Sequence, residues 1–298
     1  MPQPKLPRHL PLNALLTAAL AVGLASPADA AAELERIRIH AVTESHELIA
    51  VSAAEPHKII RSVKLVGLGS DESILGIDYR VAYGVMYALG SSGRLFTVDV
   101  ETGTLTPVGT QVFALALEGK RFGFDFNPAA DRIRIVSDAG QNLRAHPETG
   151  TLVDFSPDQD GVQADGRLAY AAGDPAAEKP VYVIAAAYTY NQQDEKLTTN
   201  FAIDAGRASL VRQGSIEGTQ PVVSPNSGQL HTVGQLGVEG IEDAHFDISD
   251  VSNTALAVLT TATMPAATLH HIDLGTGAAR VLGPVGSGER LRGMAIEP

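Results

Sequence analysis

Short runs of alternating apolar and polar residues, separated by glycine turns, recur along this chain at a regular spacing. Residues 75–109 read as an apolar strand, a short strand, a glycine turn, an alternating strand and a Thr-Gly hairpin. The same order begins again at Phe122, where Gly123-Phe124-Asp125 repeats Gly76-Ile77-Asp78 at a distance of 47 residues. Alternation with a period of two predicts strands, and the spacing predicts an internal repeat.

The three-residue anchor returns twice more, at residues 246–248 and 293–296, which are 48 residues apart. A weaker copy is expected at Tyr170, 45 residues after Asp125, and its body of 77 residues to Asp247 is long enough for an insertion or an extra unit. A period of this length with four strand signals per unit is typical of a β-propeller. We predict an all-β, propeller-like fold of five blades, with six blades and an irregular β-sandwich as alternatives.

The two ends of the chain complete this picture. The last anchor, in "LRGMAIEP", has no strands after it, and the first strands, "HELIAVSA" and "HKIIRSVKLVG", have no clear anchor before them. We therefore expect the C-terminal strand to complete the first blade, which closes the ring without an open sheet edge.

Several long segments resemble one family of exported bacterial proteins. They are "LGIDYR", "MYALGSSGRLFTVD", "FGFDFNPAADRIRIVSDAGQNLRAHPETG" and "LAYAAGDPAAEKPVYVIAAAYT", together with "LHTVGQLGV" and the closing "LRGMAI". The pattern is similar to that of the DUF4394 family and extends from about residue 49 to the end. The resemblance implies a propeller-like fold and, because the family has no assigned activity, implies no biochemical function.

The N-terminus has the layout of a secretory signal peptide. Lys5 and Arg8 precede an apolar run, and Ala28-Asp29-Ala30 is a small-x-small cleavage site. We predict a signal peptide over residues 1–30, a lead-in segment over 31–45 and the propeller domain over 46–298. The protein is expected to be exported to the periplasm or the medium, without a membrane span after cleavage, and to be a monomer; it contains no cysteine.

The formal net charge of −12 argues against nucleic acid as a partner, because an acidic chain repels phosphate backbones. An unidentified small ligand or protein is the expected partner. The absence of cysteine from the sequence also excludes a thiol nucleophile.

Asp78, Asp125 and Asp247 occupy the same place in successive anchors, each between large apolar neighbours. Alternation puts these side chains on the face opposite to their neighbours. One interpretation is a set of carboxylates near the central channel that holds a hard cation such as Ca²⁺. The other, which the repetition favours, is structural: each aspartate accepts backbone N–H groups from its own or the next blade.

The segment 121–152 carries the highest density of polar groups. Arg132 and Arg134 share one strand face, and Asp138, Asn142 and Arg144 follow around a glycine turn. Paired guanidinium groups can bind a carboxylate or a phosphate, so these five residues form a candidate ligand site. The alternative is a strand face that makes Arg–Asp pairs between blades.

The segment "SPDQDGVQADG" is interpreted as an acidic surface loop, because its aspartates Asp158, Asp160 and Asp165 lack the spacing of a calcium loop. Two functions stay open. The first is a non-catalytic exported scaffold that binds a protein, a glycan or a small anion through loops at one end of the ring. The second, which rests on analogy of fold, is an exported metal-dependent hydrolase of the propeller lactonase or phytase type.

Overall fold

The computed structural model describes residues 27–298, so the predicted signal peptide lies almost entirely outside the described part of the chain. This part consists of strands, one helix, α1 (Pro27–Arg36), and two single turns of 3-10 helix. The strands form five small sheets arranged as a five-bladed β-propeller. The predicted fold class is therefore confirmed. No helix within residues 27–298 is long and apolar enough to cross a bilayer.

The first blade combines both ends of the described chain. Its four strands, from the inside of the ring outwards, are β20 (Leu291–Ile296), β1 (Arg38–Thr43), β2 (Glu47–Ser52) and β3 (Ile59–Lys64). β20 pairs antiparallel with β1, with Ile39 opposite Ile296. The C-terminal strand thus closes the ring as predicted, and the segment 31–45 supplies β1 to the first blade.

The second and third blades are the two clearest repeats. The second contains β4 (Ile74–Arg80), β5 (Val85–Gly90), β6 (Leu95–Val98) and β7 (Leu105–Pro107). The third contains β8 (Phe122–Asn127), β9 (Arg132–Ser137) and β10 (Asn142–Ala145). A single bridge between Ala145 and Leu152 stands where the third blade would have a fourth strand.

The fourth and fifth blades follow the same meander, with one addition. The fourth contains β12 (Val183–Tyr188), β13 (Asn200–Asp204), β14 (Ser209–Gln213) and β15 (Gln229–Gln235), and an extra short strand, β11 (Ala169–Tyr170), pairs parallel with β15 at the outer edge. The fifth contains β16 (Ile241–Ile248), β17 (Ala255–Thr261), β18 (Thr268–Ile272) and β19 (Ala279–Pro284).

The fourth anchor was expected at Tyr170, and this expectation is wrong. The innermost strand of the fourth blade is β12, and Tyr170 lies at the outer edge of the sheet. The sequence of β12, "VIAAAY", has alanine where the inner strands of the second, third and fifth blades have aspartate, so it lacks the signal that identifies those anchors. The long fourth copy therefore holds an insertion within one blade and not a sixth blade.

Glycine in three anchors lets the inner strands approach one another. A Cβ atom added to Gly76 would lie 2.6 Å from the Cβ of Phe124, and one added to Gly123 would lie 2.6 Å from the backbone nitrogen of Ala186. At Gly293 the backbone nitrogen of Ile77 would be 2.8 Å away. Each of these glycines therefore faces the inner strand of the next blade at a distance that no side chain would allow.

Apolar side chains fill the space between neighbouring blades. The buried residues form five clusters, and each cluster draws on two adjacent blades. Between the second and third blades, for example, the rings of Tyr87 and Phe126 meet edge to face with centroids 5.2 Å apart. Burial of apolar surface is the main favourable contribution to folding, so each blade depends on both of its neighbours for its stability.

We predict that deletion of residues 291–298 opens the ring. The first blade would lose β20, and β1 would expose an unpaired edge that favours aggregation. We expect a lower melting temperature by circular dichroism and high-mass species by size-exclusion chromatography. Deletion of residues 297–298 alone keeps β20 and is the control. If the larger truncation melted like the full chain, closure by β20 would not be what holds the ring together.

Candidate binding pocket and the buried aspartate triad

The three repeated aspartates meet at the centre of the ring. Asp78, Asp125 and Asp247 lie on the inner strands β4, β8 and β16, and each offers a carboxylate oxygen within 4.8 Å of the others. All three side chains are buried, with 2% to 7% of their surface exposed. We refer to these residues as the aspartate triad. The strand alternation seen in the sequence thus brings together residues that are more than 40 positions apart.

Each carboxylate of the triad accepts a hydrogen bond from the inner strand of the next blade. The backbone N–H of Phe126 donates to Asp78 Oδ2 over 2.7 Å, and that of Tyr188 donates to Asp125 Oδ1 over 3.1 Å. The N–H of Ile296 donates to Asp247 Oδ2 over 2.6 Å. These bonds join the second blade to the third, the third to the fourth and the fifth to the first.

Two inner strands have alanine at the triad position, Ala187 in β12 and Ala295 in β20. The N–H groups that would have donated to an aspartate at these two positions each lie next to a carboxylate of their own strand. Asp247 Oδ1 accepts from Ile248 of its own strand over 2.6 Å, and the N–H group of Tyr79 lies next to Asp78 in its own strand. Three carboxylates therefore accept the equivalent N–H group of four of the five inner strands, which are those of Phe126, Tyr188, Ile248 and Ile296.

The triad is held in conditions that favour its protonated form. Burial raises the pKa of Asp247 to about 7. Burial, followed by the charge of the neighbouring triad members, raises the pKa of Asp78 and of Asp125 well above the usual range. Asp250 adds a further negative charge nearby. Three buried carboxylates this close cannot all ionise without a compensating charge.

A calcium ion is the other way to stabilise these charges, and carboxylate oxygen is the donor it prefers. Ca²⁺ takes six to eight oxygens, about twice what three monodentate carboxylates supply. The remaining inner-strand positions at this level are Ala187 and Ala295, which contribute no side-chain oxygen. The same carboxylates already accept backbone N–H groups. This donor set is a poor match for Ca²⁺, and the contacts favour the structural interpretation; the metal assignment stays a prediction.

The arginine-rich segment lies between the third and fourth blades. Arg134 is fully buried in β9, with 2% of its surface exposed. Its guanidinium donates to the Tyr188 hydroxyl over 3.2 Å and to Asn142 Oδ1 and Asp165 Oδ2 over 2.7 Å each. A fourth bond, of 2.6 Å, goes to Asn226 Oδ1. Protein groups therefore occupy the donors that an anion would need.

Only three of the five predicted ligand-site residues come together. Arg144 forms a bidentate pair with Asp165, so that Arg134, Asn142 and Arg144 surround one buried region. Arg132 instead donates to the backbone oxygen of Asp131, and Asp138 accepts from the backbone N–H of Lys120 at the other end of β9. The geometry favours Arg–Asp pairing between blades, and anion binding by these residues stays a prediction.

Asp165 was assigned to an acidic surface loop, and this assignment is wrong for one of its three aspartates. Asp158 and Asp160 are exposed, as expected. Asp165 is 3% exposed and receives both Arg134 and Arg144. Local sequence spacing carried no information about these partners, because they come from strands 21 and 31 residues earlier in the chain.

A pocket of about 400 Å³ lies beyond the triad, where the inner strands of the second, third and fourth blades end. The repeats differ in their loops at this end of the ring. Four residues connect the first two strands of the second blade and of the third, whereas eleven residues, 189–199, connect β12 to β13. We refer to this segment as the long loop. Because the long loop belongs to the fourth blade alone, the pocket has different walls on its two sides.

Two sets of hydrogen bonds attach the long loop to the fifth blade. Tyr190 and Asn253 form two hydrogen bonds, each 2.7 Å long. The backbone N–H of Tyr190 donates to Asn253 Oδ1, and the side-chain amide of Asn253 donates to the backbone carbonyl oxygen of Tyr190. The Gln192 amide donates to the backbone oxygen of Asp250 over 2.6 Å. The loop is therefore held across the end of the channel, and it forms one wall of the pocket.

The opposite wall of the pocket is an ordered aromatic and charged group. The Tyr83 ring is 64% exposed, and the Arg80 guanidinium carbon lies 4.1 Å from its centroid. Arg80 in turn donates to both oxygens of Asp131, over 2.8 Å and 2.5 Å, and to Glu148 over 3.2 Å. Hydrogen bonding to Arg80 lowers the pKa of Asp131, so this ion pair stays charged at neutral pH.

Sequence reasoning did not identify any residue of this pocket. The one relevant signal was the long body of the fourth repeat, which contains the loop. Tyr83 and Arg80 follow an anchor and read as ordinary turn residues. Their stacking depends on Asp131 and Glu148, which lie in another blade.

The family profile described as "Domain of unknown function (DUF4394)" matches residues 47–295 of this chain. The chain belongs to the DUF4394 family. The resemblance inferred from the repeats is thus confirmed, and it carries no assigned activity to this DUF4394 protein. No curated protein matches the chain.

Two solved structures are similar to this DUF4394 protein at low identity. Kuenenia stuttgartiensis hydrazine synthase is 12% identical, with a TM-score of 0.38, over 73% of this chain and 52% of that chain. Dihydro-heme d1 dehydrogenase NirN in complex with DHE is 11% identical, with a TM-score of 0.37, over 83% and 43%. This chain thus spans about half the length of either structure.

We predict opposite effects on stability for two substitutions of Asp125. Asp125→Ala leaves the Tyr188 N–H without its buried acceptor, which costs about 1–3 kcal/mol of the free energy of unfolding. Asp125→Asn keeps an acceptor and removes one charge from the triad. Raised pKa values mean that the folded triad binds protons which the unfolded chain releases. Its contribution to stability is therefore largest at low pH and is lost as the pH rises from 3.8 through about 7.

The measurement is thermal unfolding of the three proteins at pH 5 and pH 8, with and without Ca²⁺. Asp125→Asn should gain stability relative to the unmodified protein on going from pH 5 to pH 8, because it lacks the repulsion. Asp125→Ala should be less stable than Asp125→Asn at pH 8. If Ca²⁺ raised the melting temperature of the unmodified protein at pH 8 and Asp125→Asn abolished this gain, the triad would be a metal site.

We predict that Arg134→Met strongly destabilises the fold. The change leaves the buried Asp165 with Arg144 as its only cationic partner and removes the hydrogen bonds to Asn142 and Asn226. Loss of one member of a buried ion pair costs about 3–5 kcal/mol. Arg132→Met on the same strand is the matched control, expected within about 0.5 kcal/mol. Unchanged urea unfolding of Arg134→Met would show that the buried network is not structural.

Proposed function

We propose that this DUF4394 protein is an exported, non-catalytic scaffold that binds a small polar ligand in the pocket beneath the long loop. The observation that carries the proposal is the asymmetry of the ring. The second, third and fifth blades have connections of four to six residues at this end, and the fourth adds an eleven-residue segment that encloses a cavity of about 400 Å³. This volume is within the range of small-molecule sites, which are concave and have a few convergent polar groups.

Loops on a rigid scaffold are a common location for binding. The lining of the pocket combines apolar surface with polar side chains, as ligand sites do. Val81, Pro128 and Leu197 provide apolar contacts, and Asn127 and Gln192 provide amides.

Export is part of the proposal and rests on the N-terminal sequence alone. A basic start, an apolar run and a small-x-small site at residues 28–30 are the features of a secretory signal peptide. The lack of cysteine is compatible with a periplasmic or extracellular location, since a chain of this length can bury a sufficient core without disulfides. We propose that the mature protein acts there as a monomer.

A metal-dependent hydrolase in the channel is not favoured. A catalytic metal needs an open coordination position for water or substrate. The triad is at most 7% exposed, and the void between the inner strands at the adjacent glycine level is about 10 Å³, which is about one water molecule. Ion pairs between Arg121 and Asp243 and between Arg290 and Glu242 lie near the opposite mouth. A substrate ester has no room to reach the carboxylates.

The experiment is ligand-observed saturation-transfer NMR on pooled monosaccharides, amino acids, polyamines and organic acids. Ala82→Trp places an indole in the pocket from an exposed position of its wall and should weaken binding of any compound detected by at least tenfold. Ala262→Trp, at an exposed position in the β17–β18 hairpin, is the control that should bind normally.

Two results would overturn the proposal. Equal saturation transfer to both variants would mean that the pocket is not the binding site, and so would the absence of binding both in this screen and to the oligosaccharides tested below. Steady hydrolysis of p-nitrophenyl acetate or p-nitrophenyl phosphate, lost in Asp125→Asn, would show that the protein is an enzyme that uses the triad.

A further inference from the structure

We infer that the ligand of this pocket is a neutral saccharide, with one sugar ring stacked on Tyr83; this inference rests on the proposed function and specifies its ligand. Three independent properties of the pocket support this class of ligand. They are the fixed orientation of an exposed aromatic ring, the balance of charge, and the kind of hydrogen-bonding groups that the protein leaves available.

The Tyr83 ring is exposed and yet has a defined orientation. One face packs on the Arg80 guanidinium, and Asp131 and Glu148 hold that guanidinium by its edges. Only 8% of the Arg80 side chain is accessible, whereas 64% of Tyr83 is exposed. The free face of the ring is thus a flat, ordered surface. A pyranose ring has a face of C–H groups that packs on such a surface. Because the Tyr83 ring is already ordered, binding loses less conformational entropy.

The charges around the pocket disfavour an anionic ligand. Arg80 is the one cationic residue among those that line the described cavity, and its two carboxylate partners more than balance it. Glu195, also in the lining, forms no hydrogen bond or ion pair with the described residues. A carboxylate or phosphate ligand would meet repulsion from these groups.

A cationic ligand is disfavoured by the position of Arg80. Aromatic rings attract cations through the negative charge of their faces, and the guanidinium already occupies one face of Tyr83 at 4.1 Å. A second cation on the opposite face would be repelled by the first across the ring. A neutral ligand avoids both penalties.

The groups that remain available match hydroxyls. Within residues 27–298, the Tyr190 hydroxyl and the Glu195 carboxylate have no hydrogen-bond partner, and the Asn127 side chain bonds only through its oxygen, to Ala130 N–H. A hydroxyl can donate to the carboxylate and accept from the amide or the phenol. Several hydroxyls on one ring can use these groups together, which is what a saccharide offers.

The experiment uses tryptophan fluorescence, since the sequence contains no tryptophan. Tyr83→Trp keeps an aromatic platform and reports on stacking; Tyr182→Trp, at an exposed tyrosine outside the pocket lining, is the matched control. The probes are neutral tetramers of glucose, mannose and N-acetylglucosamine, the cationic tetramer of glucosamine and the anionic tetramer of galacturonate. We expect a saturable change with a neutral tetramer for Tyr83→Trp only, unchanged between 50 mM and 500 mM NaCl.

Isothermal titration calorimetry then separates the role of the ring from that of folding. Tyr83→Ala should weaken binding of the same tetramer at least tenfold, whereas Tyr83→Phe should bind within threefold of the unmodified protein and Tyr182→Ala should bind normally. Thermal unfolding checks that each variant is folded. Equal affinity of Tyr83→Ala and the unmodified protein would overturn the stacking inference.

The remaining outcomes separate the saccharide inference from the proposed function on which it rests. Binding of the glucosamine or galacturonate tetramer alone, weakened by salt, would replace the neutral ligand by a charged one and keep the pocket as the site. Failure of all five tetramers, while other compounds bind and are blocked by Ala82→Trp, would overturn the saccharide and not the scaffold. Failure of both experiments would remove the proposed function as well.

Discussion

The ring is held at its centre by hydrogen bonds from backbone N–H groups to three buried carboxylates, and the arrangement of the blades depends on them. In each inner strand, one backbone N–H group near the axis lies outside the backbone pairing of its own sheet. Such a group is costly when it is buried. Asp78, Asp125 and Asp247 accept four of the five groups, three of them across a blade boundary. The apolar layers bring the blades together, and these bonds define how they meet.

The same interactions explain why the candidate pocket lies where it does. At the glycine level the inner strands leave a void of about 10 Å³, and at the triad level the carboxylates fill the centre. Beyond the triad, where the strands separate into loops, the cavity widens to about 400 Å³. The long loop then encloses that space, and it is attached to the fifth blade through the side-chain amide of Asn253 and the backbone oxygen of Asp250. The centre of the ring is therefore support, and the chemistry available to a ligand lies in the loops.

The repeats made most of the fold predictable from sequence. Anchors 47 and 48 residues apart, each with strands and a glycine turn behind it, led to five blades and to closure by the C-terminal strand. The fourth anchor was misplaced at Tyr170 because its true position, in β12, has Ala187 in place of the aspartate. Periodicity detects positions that repeat, so it fails where one repeat departs from the rest.

The candidate site was much less predictable, for the same physical reason. The aspartates were recognised because they recur, although their meeting at one point required the closed ring. The burial of Asp165 and the stacking of Tyr83 on Arg80 result from contacts between blades, which no local pattern records. The pocket depends on what is different in one blade, and a single sequence offers no means of separating a functional difference from an incidental one.

The attachment of the long loop has a consequence for how this family can diversify. The loop is joined to the ring at Tyr188 and Asn200, two ends of one hairpin, and none of its residues contributes to the hydrogen bonds of the triad. Its composition can therefore change in evolution while the folding of the propeller stays the same. One ring can in this way serve many ligands, and members with the same anchors need not share a specificity.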